Sequence, residues 1–359
     1  MIYYLTKRLL ASLITLFLVL ALNYGLIKVL PGNAHDIHFG ENQGKGTSMH
    51  QYLVEGALDG HLQTYGLATL TGHSTNAAFP PLADPNHPLE DFWQTCAHYL
   101  TFRLGQSSTY ERPVTALIAE ALPTSLTLAV GALLLIYVFS FPLALYKARY
   151  ARQKRTQIMS FLLAIGYGMP TFLLALLLLL FFGGGSFFDW FPLRGLTSND
   201  WATLSWFRQG LDILWHLTLP FLTLIIPGTA ALTFLLRNII TEEYKKPYVQ
   251  YLQSHHLPPQ HIFYRHMPRN LILPIVAKLP SQLTTLLFTA TLIVEIIFSL
   301  EGLGRLGYEA LLARDLPLML GILYIYSLLY IIFHLRGDLL QLIIDPRLHY
   351  DKIQKRRPS

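Results

Sequence analysis

One short segment concentrates the side chains able to bind or react. In Tyr251–Asn270, "YLQSHHLPPQHIFYRHMPRN", four imidazoles (His255, His256, His261 and His266) stand beside Arg265, Arg269, Tyr251 and Tyr264. Imidazole nitrogens could hold a transition metal. The histidine spacings of one, five and five do not stack on one helix face, where neighbours fall three or four apart. No cysteine lies nearby, and the nearest carboxylates are twelve or more positions upstream. The pattern favours a docking surface over a metal site.

The surrounding residues predict two short amphipathic helices. Thr241 is placed to cap a helix whose first turn carries Glu242 and Glu243, since acidic residues suit that end. Tyr244, Tyr248, Tyr251 and Leu252 then recur at i, i+4, i+7 and i+8, an apolar stripe. Pro247 breaks the run or restarts it at a first-turn position. Leu257-Pro258-Pro259 forces a stop, and Pro259 opens a second helix. On that helix Ile262, Phe263 and His266 share one face, with Arg265 and Arg269 on another. Helices of this kind dock partners or rest on a bilayer.

The elements that hold this segment are apolar. The chain has 359 residues, 52% hydrophobic and 13% charged, with mean hydropathy +0.39. Soluble domains carry about 25% charged residues, so the composition points to an integral membrane protein. Six stretches reach the roughly 20 apolar residues a span requires: Leu9–Leu30, Leu122–Tyr146, Ile158–Phe182, Leu214–Leu236, Leu273–Phe298 and Leu316–Leu335. The first is too long for a signal h-region and lacks a small-x-small cleavage site, so it is expected to be retained. The net charge of +6 is spread in blocks between apolar runs, which does not suggest nucleic acid. Lys and Arg gather at the N-terminus, in the second and fourth loops and in the tail. Both termini and the even loops are therefore expected on the cytoplasmic side.

Two charges fall inside the fifth span, and intramembrane charges are functional candidates. Lys278 lies near its cytoplasmic end and also fits a snorkelling role; Glu295 lies near its outer end. Seventeen positions separate them, roughly 25 Å of helix, so they cannot pair within it. Proline and glycine interrupt three spans, at Pro170, at Pro227-Gly228, and at Pro274 and Pro280. Such breaks are tolerated where helices pack together or line a cavity. Pro170, Pro227, Gly228, Lys278, Pro280 and Glu295 are accordingly candidates for a translocation path.

The long loop after the first span carries His35, His38, His50, His61, His73, His87 and His98. None shows HxxxH or HExxH spacing, so a soluble cap or partner contact is expected there rather than a metal. The single cysteine, Cys96, excludes an intrachain disulfide. No Walker A, GxSxG or HExxH motif is present. If transport is active, its energy comes from another subunit or from an ion gradient.

Tyr248-Val249, Leu257, then Arg265-His266-x-x-Arg269-Asn270-x-x-x-Pro274 resembles the cytoplasmic coupling loop of dipeptide/oligopeptide-type ABC importer permeases. "VEIIFSLEGLGRLGYEALLARDLPLMLG", the opening "LTKRLLASLITLFLVLALNYGLIKVLPGN" and the closing Asp345-Pro346-Arg347 resemble the same family. "FFGGGSFFDWFPLRGLTSNDWATLSWFRQGLDILWHLTLP" is similar to its Yej-type branch, whose members import oligopeptides and microcin C-like conjugates. The resemblance covers nearly the whole chain except the interior of the first loop.

It implies an all-α membrane protein of the bacterial inner membrane with six transmembrane helices and cytoplasmic termini. Residues 1–30 would form the first transmembrane helix and 31–121 a periplasmic loop. Residues 122–338 would form the permease core, with its coupling loop at 239–272, and 339–359 a cytoplasmic tail. Partners would be a second homologous permease, cytoplasmic ABC ATPase subunits, a periplasmic or lipid-anchored peptide-binding protein and membrane lipid. The chain itself would be no enzyme and need no cofactor. Carried over, the coupling residues are Tyr248, Val249, Leu252, His256, Leu257, Arg265, His266, Arg269 and Asn270.

The sequence departs from the family at one informative place. The family's Ala-x-Ala-x-Gly is here Leu252-Gln-Ser254-His-His256, so His256 stands at the turn glycine. Histidine is among the residues tolerated at positive φ; the turn is expected to survive at a cost, with an altered partner surface. Two other classes compete with the importer reading. A transport-inactive scaffold or receptor would bind the binding protein without stimulated ATPase. A stand-alone ion-coupled transporter would want buried carboxylates at midplane, which the spans almost lack.

Overall fold

The computed structural model describes residues 2–29, 88–185 and 187–344. The interior histidines of the first outer loop and the closing Asp345-Pro346-Arg347 lie outside the described residues. The described chain is nearly all helix; its only other ladder contacts are isolated bridges between Gln106 and Pro113 and between Gly183 and Phe191. Helix α1 is Ile2–Val29, α2 Pro88–Leu100, α3 Val114–Arg149, α4 Lys154–Gly168, α5 Thr171–Phe182 and α6 Trp206–Tyr244. After them come α7 Pro247–Ser254, α8 Met267–Thr285, α9 Thr291–Ile297, α10 Leu303–Leu312 and α11 Leu316–Ile344.

Five described helical segments are long and apolar enough to cross a membrane, and a sixth crossing exists if the bent pair α4–α5 is one span. The third expected span is therefore not straight. It breaks at Met169-Pro170 and turns by 102°. Met169 is extended (ψ 122) because a proline disfavours helical backbone in the residue before it. The other spans extend past their expected ends. α3 begins at Val114 and α6 runs from Trp206 to Tyr244, since helix formers flank each apolar run. The expected loop 31–121 consequently includes α2 and the first turns of α3.

α3 and α6 form the centre, packed against α4, α5, α8 and α9. At Gly131 an added Cβ would meet the Phe221 ring at 2.7 Å, and at Gly228 it would overlap Ile136. The two long helices approach that closely because neither position carries a side chain. Gly228→Val is expected to lower the thermal midpoint of the purified protein markedly, because overpacking a close crossing typically costs ~1–3 kcal/mol. A second apolar cluster joins α2 to α1, α3, α10 and α11. There Phe92 of α2 sits edge-on to Phe17 and Tyr24, and Tyr99 meets Tyr324. Cys96 is buried in this cluster.

α8 and α11 run antiparallel, and Pro280 seats against Gly337, where any Cβ would overlap it. The end of α11 thus returns to the same end of the bundle as the segment before α8. There Arg8 of α1 and Asp338 of α11 form an ion pair at 3.2 Å. The N-terminal end of α1 and the C-terminal end of α11 therefore share one face of the protein.

Candidate coupling loop and translocation face

Between α6 and α8 the chain folds into two short helical segments, as the proline pattern predicts. Lys246 is extended (ψ 149), and Pro247 occupies the first turn of α7, where its fixed φ and missing N–H cost nothing. Pro259 opens the next segment in the same way after an extended Pro258. Thr241 does not cap a helix. It lies within α6, its hydroxyl donating to the Arg237 carbonyl at 2.7 Å. α6 continues because nothing stops it before the extended residue that Pro247 imposes.

The turn between the segments closes at His256, with φ +55°. The His256 N–H donates to the Gln253 carbonyl at 3.0 Å and the Leu257 N–H to the Leu252 carbonyl at 3.3 Å. This pair of bonds is a Schellman motif. Leu252 and Leu257, its usual apolar contact, both pack on the core. The turn thus survives without glycine. Because a left-handed residue with a Cβ costs ~1–2 kcal/mol, His256→Gly is expected to raise the unfolding midpoint of the loop. Hydrogen exchange at Leu257, slower in the variant, measures it.

The loop is anchored from below. Val249, Ile262 and Met267 are fully buried and Phe263 nearly so, within the main core. Tyr244 and Phe263 stack with ring centroids 4.8 Å apart, and the Gln253 side chain donates to the Tyr244 hydroxyl at 2.7 Å. Buried Glu243 accepts from the Tyr248 hydroxyl at 2.9 Å and pairs with Lys246 at 2.6 Å. Burial, with the adjoining Glu243 carboxylate, pushes the Tyr248 phenol up, against the hydrogen bond to Asn270, which lowers it.

The sequence-predicted residues divide accordingly. Val249, Leu252 and Leu257 are anchors, with Tyr248 half-buried beside them. His256, Arg265 and Asn270 are exposed and His266 half-buried. Arg269 lies in the first turn of α8, and its side chain is outside the described residues. Tyr251 departs from the expected stripe. It is 63% exposed, with the His255 ring 4.4 Å away. The buried stripe is Tyr248, Val249 and Leu252, and Tyr251 falls about a quarter-turn or more from its centre. Tyr264 is also exposed, facing Arg149 at the end of α3. Sequence reasoning did not single out Tyr251 and Tyr264 as surface residues. Their signal was their offset from the anchors. Among the described residues no His/Cys/Asp/Glu group is arranged to hold a metal.

The fifth span is α8 and α9, joined through a π turn over Leu286–Ala290. A second π turn, Ile262–His266, precedes α8. Lys278 is exposed on α8, and Pro170 is exposed at the α4–α5 bend. Three expected path residues are instead enclosed. Gly228 is at the α3–α6 crossing and Pro280 in the α8–α11 contact. Glu295 is fully buried. Its carboxylate accepts from the Ser125 hydroxyl at 2.6 Å and from the Arg305 N–H at 3.0 Å, and the Gly304 N–H also bonds it. Ser125 in turn accepts from the Leu303 N–H at 2.7 Å. These amides are the free donors at the start of α10, so Glu295 and Ser125 together cap that helix from two other helices. Gly302 leaves the carboxylate room, for a Cβ there would overlap it. Asp315 does comparable work at the start of α11. It accepts from Ser107 Oγ at 2.5 Å, Thr109 N–H at 3.0 Å and Leu318 N–H at 3.2 Å.

A helical bundle with a core-anchored helix pair at one end has a counterpart among known proteins. Residues 140–350 match the family described as binding-protein-dependent transport system inner membrane component. The chain belongs to this family. It is 35% identical to the inner membrane ABC transporter permease protein YejB of Escherichia coli O157:H7, over 97% of this chain and 99% of that one. It is 37% identical to the peptidoglycan transport system permease protein YejB of Agrobacterium fabrum, over 74% and 73% of the two chains. It is 25% identical to the dipeptide transport system permease protein DppB of Lactococcus lactis, over 97% and 99%. This binding-protein-dependent permease is a multi-pass protein of the inner membrane, as its apolar helices require. The resemblance stated from the coupling-loop residues is thereby borne out at the level of family and Yej-type branch.

Proposed function

We propose that this chain is one permease half of an ATP-driven importer of oligopeptides, with microcin C-like peptide conjugates within its range. A second homologous permease completes the path, cytoplasmic ATPases dock on the 239–272 loop, and a periplasmic or lipid-anchored binding protein delivers cargo. The termini and the loop face the cytoplasm, and residues 31–121 form the outer region. The relatives named for dipeptide and peptidoglycan transport support a peptide cargo. The observation that carries the docking assignment is the helix pair itself. Its anchors are sunk in the core, while Tyr251, His256, Tyr264 and Arg265 stand free at the end of the bundle shared by both described chain ends.

The arrangement suits force transmission. A loop anchored through Val249, Ile262 and Met267 moves as one piece with α6 and α8, so closure of an ATPase dimer would tilt those spans. The chain performs no covalent chemistry in this scheme. The intact Schellman turn favours an active coupling loop over a transport-inactive scaffold.

The test is a native pull-down of the C-terminally tagged chain, followed by ATPase assay with peptide-loaded binding protein. Co-purification of a second permease and ATPases with stimulated turnover is expected. Recovery of the chain alone, or of a complex without stimulation, overturns the reading. Arg265→Ala with Arg269→Ala is expected to lower uptake strongly, and unchanged uptake would remove the basic face from the ATPase contact.

A further inference from the structure

The exposed residues of the fifth span have an unexpected chemistry. Lys278, Ser281, Thr285 and Thr289 are all exposed and recur at i, i+3, i+7 and i+11. That spacing places them on one helix face. The opposite face, through Val276, Pro280, Thr284 and Leu287, is buried. Two exposed mid-span positions of α3 are by contrast apolar, as lipid contact demands: Leu134 and Val138 are 61% and 63% exposed. The Lys278 ammonium pairs with no carboxylate among the described residues, and it stands about 16 Å of helix beyond Met267. Snorkelling would account for Lys278 alone. It would not account for three hydroxyl residues continuing the same face away from the headgroups.

The π turn at Leu286–Ala290 starts directly after Thr285 and contains Thr289. Such turns recur at functional sites, where one inserted residue re-aims a helix surface. Polar side chains and irregular helix at membrane depth belong where protein or a water-filled cavity replaces lipid.

We propose that the Lys278–Ser281–Thr285–Thr289 face lines the water-filled translocation path, and that Lys278 receives the C-terminal carboxylate of the passing peptide. The carboxylate half rests on the importer reading; the water-filled face does not. Lysine suits this task because its ammonium is a mobile point charge that holds an anion without fixing its geometry. The hydroxyls of Ser281 and Thr285 donate to helix carbonyls at 3.0 and 2.9 Å. Their oxygens remain able to accept from peptide N–H groups.

Two measurements on the full complex in membranes test this. In a Cys96→Ser background, single cysteines at 281, 285 and 289 are expected to react with a charged maleimide at least about tenfold faster than one at 134. The reagent reacts with thiolate, which forms in water and not in lipid. Equal, slow labelling at all three hydroxyl positions overturns the proposal and leaves this face to lipid or to a dry contact with another subunit. Lys278→Glu is then expected to cut uptake of a peptide with a free C-terminus by about tenfold, because it sets like charges opposite each other. A C-terminally amidated peptide of the same sequence should be spared. Equal loss for both peptides overturns the carboxylate role. A wild-type complex that imports neither peptide overturns the importer reading and the carboxylate role with it, while the labelling pattern still decides whether the face is wet.

Discussion

Glu295→Ala is expected to remove most assembled complex rather than to slow transport in a complex of normal abundance. The substitution leaves the Ser125 hydroxyl and the Arg305 and Gly304 amides facing a void. Each buried polar group left without a partner costs ~1–3 kcal/mol, so the loss approaches the marginal stability of a domain. Glu295→Gln keeps the shape and one acceptor oxygen, but its NH2 group faces donors; an intermediate loss is expected. Gly302→Val attacks the same cradle from outside by filling the carboxylate's space. Thermal melting in detergent and the yield of complex by size exclusion measure all three. A Glu295→Ala protein that melts like wild type and fails only in uptake would return Glu295 to the path.

The second large effect is expected from Val249→Asp. Val249 is fully buried in the apolar anchor of α7, in the same cluster as Ile262, Phe263 and Met267. An unpaired carboxylate there costs several kcal/mol, and the loop has a lower-energy alternative: α7 lifts off and carries the charge into water. Stimulated ATPase activity should fall to the basal rate, because a loosened loop no longer transmits force. Tyr251→Asp, two positions on and already in water, should leave the fold intact. Limited proteolysis after Lys245, with ATPase turnover, separates the two variants. Val249→Asp with wild-type stimulation and unchanged cleavage would contradict the anchoring role.

What the sequence revealed follows from interaction range. Apolar runs located the spans because bilayer thickness acts on local composition. Pro247 and Pro259 located the loop helices because proline acts on its own φ and on its neighbour's ψ. The turn at His256 was legible only through the family resemblance, which sets the family's turn glycine at this position. The bend of α4 on α5 was only half legible. Pro170 marks a break, but the 102° between the helices depends on how each packs on α6. The capping contacts of Glu295 were hidden for the same reason. Its partners are Ser125, on another span, and amides beyond the end of its own. An acidic residue in an apolar run shows its cost locally and its compensation only in three dimensions. Gly228 and Pro280 looked like breaks and serve as close contacts, which a chain read in one dimension cannot distinguish. Lys278 alone resembled a snorkelling lysine. Only the burial of the opposite helix face gave it hydroxyl neighbours in a common surface.

The ion pair between Arg8 and Asp338 has a bearing on how the protein is made. Among the described helices α1 is made first and α11 last, since synthesis proceeds from the N-terminus. Phe17 and Tyr24 of α1 can pack on Phe92 of α2 before α11 is made, whereas the Arg8–Asp338 pair forms only after it. Closing so long a loop carries a modest extra entropic cost, since that cost grows only logarithmically with length. The timing is what matters: a chain that stalls before Asp338 leaves α1 without this contact to the bundle. The pair thus joins α1 to a helix 330 positions later in the sequence, a contact of the α1 end that forms only once α11 is made.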